Sequence, residues 1–133
     1  MTEKKFGKLI NEIQTFMWLD NWQINYKFED IDQGRGVVWR CDKILYSYFK
    51  VYMTFNPTVL EEIEDEVLEI IFHEFSHIYT TQSLTLFHEE EKYIIQWIGD
   101  NWYCGISEKM HILNEQQTEL LSRRFKELYL KSK

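Results

Sequence analysis

The chain has 133 residues, a net charge of −7 and two cysteines, and aromatic residues make up 17% of it. This length fits one domain with a core of its own. The acidic balance argues against nucleic-acid binding, which needs a basic surface. No apolar run reaches the length of a membrane span and the N-terminus does not read as a leader, so we expect a cytoplasmic protein. Cys41 and Cys104 form no closely spaced pair, and we expect two reduced, buried thiols.

Apolar residues recur at helical spacing from residue 3 to about residue 19, which predicts a first helix. From Trp22 to Phe28 they alternate with polar residues, as in a half-buried strand. Residues 32–36 predict a turn, residues 37–41 a second strand, and Tyr46 to Phe55 a third. We therefore predict a small antiparallel β-meander between Trp22 and Phe55.

Beyond Pro57 the pattern becomes helical, with acidic residues in the first turns that complement a helix dipole. A loop is predicted at 83–86, a shorter helix at about 88–100, and a last helix from an N-cap at Ser107 to about Leu130. The main apolar arc of that last helix consists of Leu113, Leu120, Leu121 and Leu128. The predicted fold class is α+β, with an N-terminal helix, the meander and two long C-terminal helical regions.

The most informative segment is residues 73–77, which read HEFSH and match the H-E-x-x-H pattern of zinc metallopeptidases. On a helix His73 and His77 lie one turn apart, so both imidazoles can reach one ion. Glu74 points about 100° away from the first histidine, which suits a base that contacts water at the metal. Catalytic zinc takes three protein ligands. The motif therefore predicts a Zn²⁺ site that needs one further ligand.

The last helix offers a candidate for the third ligand. The metzincin extension of the motif needs glycine at 80 and histidine at 83, but the chain has Thr80 and Ser83, which excludes that subclass. Residues 114–119 read NEQQTE, and the spacing of four places Glu115 and Glu119 on one helix face. A solvated charged face would give the same pattern, because these glutamates lie roughly opposite the apolar arc.

The NEQQTE segment resembles the gluzincin arrangement, in which an N-E-x-x-x-[DE] helix downstream of H-E-x-x-H completes the site. The resemblance implies that Glu115 ligates zinc and that Glu119 accepts the N–H of His73 and orients that ring. This chain has Glu119 where large members of the family often have aspartate. Over residues 20–130 the layout is similar to minimal gluzincin-like metallopeptidases, many of them encoded by bacteriophages and prophages. This implies one zincin-like domain over residues 1–133, acting in a bacterial host cytoplasm.

The resemblance also implies hydrolysis of peptide bonds, with Glu74 as general base towards a water polarised by zinc. Gluzincins usually add a tyrosine or histidine that stabilises the oxyanion. The candidates are Tyr79, Tyr103 and His111, of which His111 is best positioned, one turn before Glu115. A protein or peptide substrate is expected to add to an exposed sheet edge as a further strand. We expect that edge to be the predicted strand Tyr46–Phe55.

Two other functions fit the same residues. The first is a zinc-containing or metal-free module that binds a protein partner without turnover. The complete motif, including Glu74, favours an enzyme over that module. The second is a regulator, activated by a partner, that acts on the repressor of a phage or mobile element. A helix-turn-helix beside the motif would support the regulator, and the sequence does not predict one. The oligomeric state is not predicted by any of these patterns.

Overall fold

The computed structural model of the protein describes residues 1–31 and 39–133. Its regular elements are α1 (Glu3–Phe16), β1 (Gln23–Phe28), β2 (Trp39–Leu45), β3 (Lys50–Phe55), α2 (Glu64–Thr80), α3 (Gln82–Glu89), α4 (Glu91–Ile98) and α5 (Asp100–Lys131). Short 3-10 turns at Tyr46–Tyr48 and Pro57–Glu61 flank β3. The predicted α+β class is confirmed. The turn predicted at 32–36 and the first two residues of the predicted second strand lie outside the described residues.

The three described strands form a mixed sheet, so the predicted antiparallel meander is wrong. Their order is β1-β3-β2, with β1 parallel to β3 and β2 antiparallel to β3. β3 is therefore the central strand, and the expectation that residues 46–55 form the exposed edge is also wrong. Alternating polarity shows which face of a strand is buried, but it does not identify the neighbouring strands. The edge nearest the H-E-x-x-H helix is β2.

The helices after residue 80 differ from the prediction. The predicted loop at 83–86 is the helix α3, and α4 ends at Ile98, where Gly99 adopts a left-handed φ of 85°. A glycine takes this conformation without steric cost, which allows the chain to leave α4 and enter α5 at once. α5 then runs without interruption through Gly105 and Ser107, so the predicted N-cap at Ser107 is wrong. An isolated glycine within a helix costs only about 1 kcal/mol, which tertiary packing can offset.

The core lies between the sheet, α1 and α2. The fully buried apolar members of β3 are Val51, Met53 and Phe55, and they face the apolar side of α1 and the buried face of α2. Phe6 of α1 lies at the centre of an edge-to-face aromatic group, with Phe55 5.1 Å away between ring centroids. Near the C-terminal end of α2, the hydroxyl of Tyr46 donates to the carbonyl of Ile78 at 2.9 Å. This bond ties the β2–β3 turn to the end of the H-E-x-x-H helix.

The middle of α5 packs on α2 through small polar residues, and further along α5 Phe125 and Tyr129 contact the rings of Tyr79 and Phe72. Asn114, Thr118 and Ser122 are the buried residues in the middle of α5. The hydroxyls of Thr80 and Thr118 lie 2.6 Å apart across the interface. Members of the predicted apolar arc are exposed instead, with Leu113 at 56% and Leu120 at 67%. Small side chains spaced by four let the two helices approach closely, and this interface brings the glutamates of α5 to the histidines of α2.

Both cysteines are free thiols, and only Cys41 is partly buried; Cys104 is exposed, contrary to the expectation of two buried thiols. Over residues 1–31 and 39–133, we find no helix that is both long and apolar enough to span a membrane.

Candidate metal centre

The two histidines of the motif lie side by side on α2. Their ring centroids are 4.9 Å apart, and the side chains of His73 and His77 are only 17% and 15% exposed. Residues on either side, such as Phe72 and Phe75, are fully buried and hold this part of the helix against the sheet and α1. The rings are therefore fixed at the edge of the core, where they line a cleft.

Glu115 of α5 lies opposite both imidazoles. Its two carboxylate oxygens lie 3.7 Å from Nε2 of His73 and 3.7 Å from Nε2 of His77. One ligand atom from each of the three residues falls within 4.8 Å of the other two. Glu115 is 63% exposed, so its side chain reaches the histidines from the solvent side. The structure thus brings together the three residues that the sequence predicts as metal ligands.

Hydrogen bonds to the other ring nitrogen orient His73. Glu119 places a carboxylate oxygen 3.2 Å from Nδ1 of His73, and its second oxygen accepts from Nε of Arg123 at 2.9 Å. A carboxylate only accepts hydrogen bonds, so the proton of the neutral ring is on Nδ1 and the Nε2 lone pair is free. The structure places Glu119 where the sequence predicts it, beside His73. Arg123, one turn further along α5, supports that carboxylate.

Two residues without a predicted role orient His77 in the same way. Nδ1 of His77 lies 3.3 Å from the hydroxyl of Thr81, and that hydroxyl donates to Oδ1 of Asn114 at 3.4 Å. Asn114 in turn donates to the carbonyl of Thr80 at 2.7 Å, which fixes its amide. Because the Thr81 hydroxyl donates its proton to Asn114, its oxygen accepts from Nδ1–H of His77. The Nε2 lone pair of His77 is therefore free, as it is in His73. Burial lowers the pKa of His77, with a smaller effect from His73 and an opposing one from Glu115, which favours the neutral ring.

Glu74 is a buried carboxylate beside this triad. It is 2% exposed, and its Oε2 has no hydrogen-bond partner among the described residues. Burial raises the pKa of Glu74 to about 8; the charges of Glu115 and Asp42 add to the rise, and the side chain of Trp39 opposes it. A buried acceptor without a partner costs free energy, so such a group calls for a functional explanation.

His73, His77 and Glu74 line a cleft of about 790 Å³. Residues 39–44 of the edge strand β2 line one side, and α2, α3 and α5 line the other. Of the three candidate oxyanion residues, only His111 lines this cleft. The hydroxyl of Tyr79 donates to the carbonyl of Met17 near the end of α1, and that of Tyr103 is bonded to His88.

Sequence reasoning missed several residues around the site. Thr81 and Asn114 orient His77, and a hydrogen bond from the side chain of Trp39 opposes the rise that burial causes in the pKa of Glu74. None of these residues belongs to a sequence motif that would identify its role. The sequence predicts His88 at the start of the helix 88–100 and gives it no role, whereas the structure places it near the end of α3.

Comparisons with known proteins do not assign the chain to a family. No family model matches the chain, and the searches of curated proteins and of solved structures each gave no significant match. Function therefore has to be inferred from the geometry and chemistry of the site.

Proposed function

We propose that the protein is a zinc-dependent metallopeptidase with a zincin-like domain of the gluzincin type. The observation that carries this proposal is the position of Glu74. Its buried carboxylate has an oxygen without a partner among the described residues, directly beside two oriented histidines and Glu115. A surface ion-pair cluster has no use for such a group, whereas a hydrolytic metal centre needs a base at this place.

The donor set fits zinc. Neutral imidazole nitrogen and carboxylate oxygen are ligands that catalytic zinc uses, and three protein ligands leave a position for water. His73, His77 and Glu115 would hold the ion. Ligands that each lie about 2 Å from one ion are roughly 3–4 Å from one another. The distance of 3.7 Å from each Nε2 to Glu115 agrees with this spacing. Bound Zn²⁺ would lower the pKa of water in the site and stabilise negative charge on a substrate carbonyl oxygen.

The chain's own groups supply the proton transfers. Glu74 accepts a proton from the attacking water and delivers it to the leaving amine of the peptide. Burial raises the pKa of Glu74 in the metal-free protein, and the positive charge of a bound cation would oppose that rise and favour the carboxylate form that acts as the base. Glu119 and Thr81 hold the two imidazoles in the tautomer that leaves Nε2 free.

The substrate proposed here is an extended protein or peptide segment. β2 is an edge strand of the described sheet and forms one wall of the cleft. A peptide can pair with the free side of such a strand and place one of its carbonyls beside the histidines. Residues 39–44 would thus form the peptide-binding edge of the sheet, which the sequence predicts at residues 46–55.

The proposal is tested first by metal content. Purified wild-type protein is expected to retain one equivalent of zinc, measured by elemental analysis, and Glu115→Ala and His73→Ala are expected to bind zinc more weakly. Glu108→Ala, an exposed glutamate two turns earlier on α5, is the matched control and should keep wild-type affinity. Undiminished zinc affinity in Glu115→Ala would show that Glu115 is not a ligand.

Turnover is tested separately with a peptide library. Glu74→Gln keeps the shape of the side chain but removes the base, and we expect cleavage to fall by roughly 10²- to 10⁴-fold while zinc remains bound. Mass spectrometry of the digests measures both cleavage rate and site preference. Zinc binding with no cleavage by either protein would contradict the peptidase and favour the module that binds a partner without turnover.

A further inference from the structure

A hydrogen-bonded chain of three side chains leads from the interior to the wall of the cleft. The hydroxyl of Tyr103 lies 2.9 Å from Nδ1 of His88, and Nε2 of His88 lies 2.9 Å from Nε2 of His111. Tyr103 is 4% exposed, and its ring stacks on that of Phe87 with centroids 4.9 Å apart. Both histidines are exposed. His88 thus connects a fixed, buried phenol to a residue that lines the cleft.

The proton positions along this chain follow from the phenol. Within residues 1–31 and 39–133, the hydrogen-bond partner of the Tyr103 hydroxyl is Nδ1 of His88. A neutral imidazole nitrogen is a better proton acceptor than a phenol oxygen, so the hydroxyl donates to Nδ1. His88 then carries its proton on Nε2 and donates it to Nε2 of His111. The reverse direction would leave the buried phenol proton without an acceptor in the described chain, which costs free energy.

We propose that Tyr103 and His88 are positioning residues that hold His111 as the Nδ1–H tautomer and so present a hydrogen-bond donor to the substrate. His111 is four residues before Glu115 on α5, and both line the same cleft. Its Nε2 is occupied by His88, so Nδ1 is the ring nitrogen available to a ligand. A fixed donor at this place stabilises negative charge on the carbonyl oxygen of the scissile peptide. This inference rests on the proposed peptidase function, since the carbonyl belongs to its substrate.

The tautomer can be measured without any activity. Full-length protein labelled with ¹⁵N-histidine is studied by NMR at about pH 8.5, two units above the ordinary histidine pKa, where imidazoles are neutral. His111 is expected to carry its proton on Nδ1 and His88 on Nε2. Tyr103→Phe keeps the ring that stacks on Phe87 and removes only the hydroxyl, so His111 should change to a mixture of tautomers. Tyr93→Phe on α4, where the ring is 63% exposed, is the control and should leave both signals unchanged.

The same variants test the contact with substrate. Tyr103→Phe and His88→Leu are expected to lower kcat about 10-fold with little change in KM, a smaller loss than removal of an oxyanion donor itself. His88→Gln retains an acceptor towards Tyr103 and a donor towards His111, and it should restore most of the activity. Circular dichroism and thermal unfolding confirm that each variant is folded. A loss caused only by structural damage would not be restored by glutamine.

The outcomes separate this inference from the proposed function. His111 protonated on Nε2 in the wild type, or unchanged in Tyr103→Phe, would overturn the hydrogen-bond chain whether or not the protein cleaves peptides. A changed tautomer with an unchanged kcat would overturn the contact with substrate. A wild type that cleaves no peptide would overturn that contact together with the peptidase, while the NMR result would still decide the positions of the protons.

Discussion

Replacing Glu74 by glutamine is expected to change how the stability of the metal-free protein depends on pH. Burial raises the pKa of this carboxyl from 4.5 to about 8. The unfolded chain therefore releases the proton near pH 4.5, whereas the folded protein keeps it until about pH 8. Between these values the folded state binds more protons, so its stability falls as pH rises. The stabilising contribution is complete below pH 4.5 and is lost as pH passes through 8.

The size of the effect follows from the same values. Each pH unit over which the two states differ by one proton is worth about 1.4 kcal/mol. From 4.5 to about 8, the total is about 5 kcal/mol. Small domains are stable by only about 5–15 kcal/mol, so this one group decides much of the alkaline stability of the metal-free protein. Glutamine has no charge to bury, so the variant should lack this contribution to the pH dependence.

The assay is urea unfolding followed by tryptophan fluorescence, in the presence of a chelator, between pH 4.5 and 9. The free energy of unfolding of Glu74→Gln minus that of the wild type is expected to rise by up to about 5 kcal/mol across this range. Subtraction removes groups that titrate equally in both proteins. Glu108→Gln on the exposed face of α5 is the control, with an expected change within about 0.5 kcal/mol. Parallel curves for Glu74→Gln and wild type would refute the reasoning from burial.

Two further predictions concern side chains around the cleft. Thr81→Val removes the hydroxyl that accepts from His77, so the affinity for zinc should fall about 10- to 100-fold. Thr81→Ser keeps a hydroxyl and should keep the wild-type affinity. Competition with a chromophoric chelator measures both affinities. Burial raises the pKa of Cys41 to about 12, with smaller contributions from Glu74 and Asp42, so at pH 8 its thiolate is scarce. Iodoacetamide at pH 8 should therefore modify the exposed Cys104 alone, as seen by mass spectrometry, and alkylation of Cys41 at a similar rate would contradict its burial.

Periodicity along single helices predicted the parts of the candidate site that depend on local spacing. Two side chains four residues apart lie on one helix face whatever the rest of the fold does. This is why His73 with His77, and Glu115 with Glu119, could be paired from the sequence. The start of α5 was less predictable, because neither Gly105 nor Ser107 interrupts a helix that tertiary packing stabilises, whereas its end was predicted to within one residue.

Contacts between distant elements were predicted less well. Hydrophobic reasoning assigned Leu113 and Leu120 to the buried arc of the last helix, but the structure buries Asn114 and Thr118 instead. The small polar stripe makes hydrogen bonds across to α2, such as that between Thr118 and Thr80, and a hydropathy pattern does not register them. The partner of β1 was mistaken for the same reason, because the meander placed β1 beside β2 whereas it lies parallel to β3; the antiparallel pair of β2 and β3 was predicted.

The geometry favours the proposed metal centre over a cluster of ordinary ion pairs. In an ion-pair cluster the histidines would be protonated and would donate to Glu115 at hydrogen-bond distance, about 2.7–3.2 Å. Here each Nε2 lies 3.7 Å from that carboxylate, and burial lowers the pKa of His77 and so favours its neutral form. Both Nδ1 atoms already have acceptors, Glu119 for His73 and Thr81 for His77. The remaining lone pairs and the carboxylate converge at a separation that a small divalent cation spans, which supports zinc as the ligand of this site.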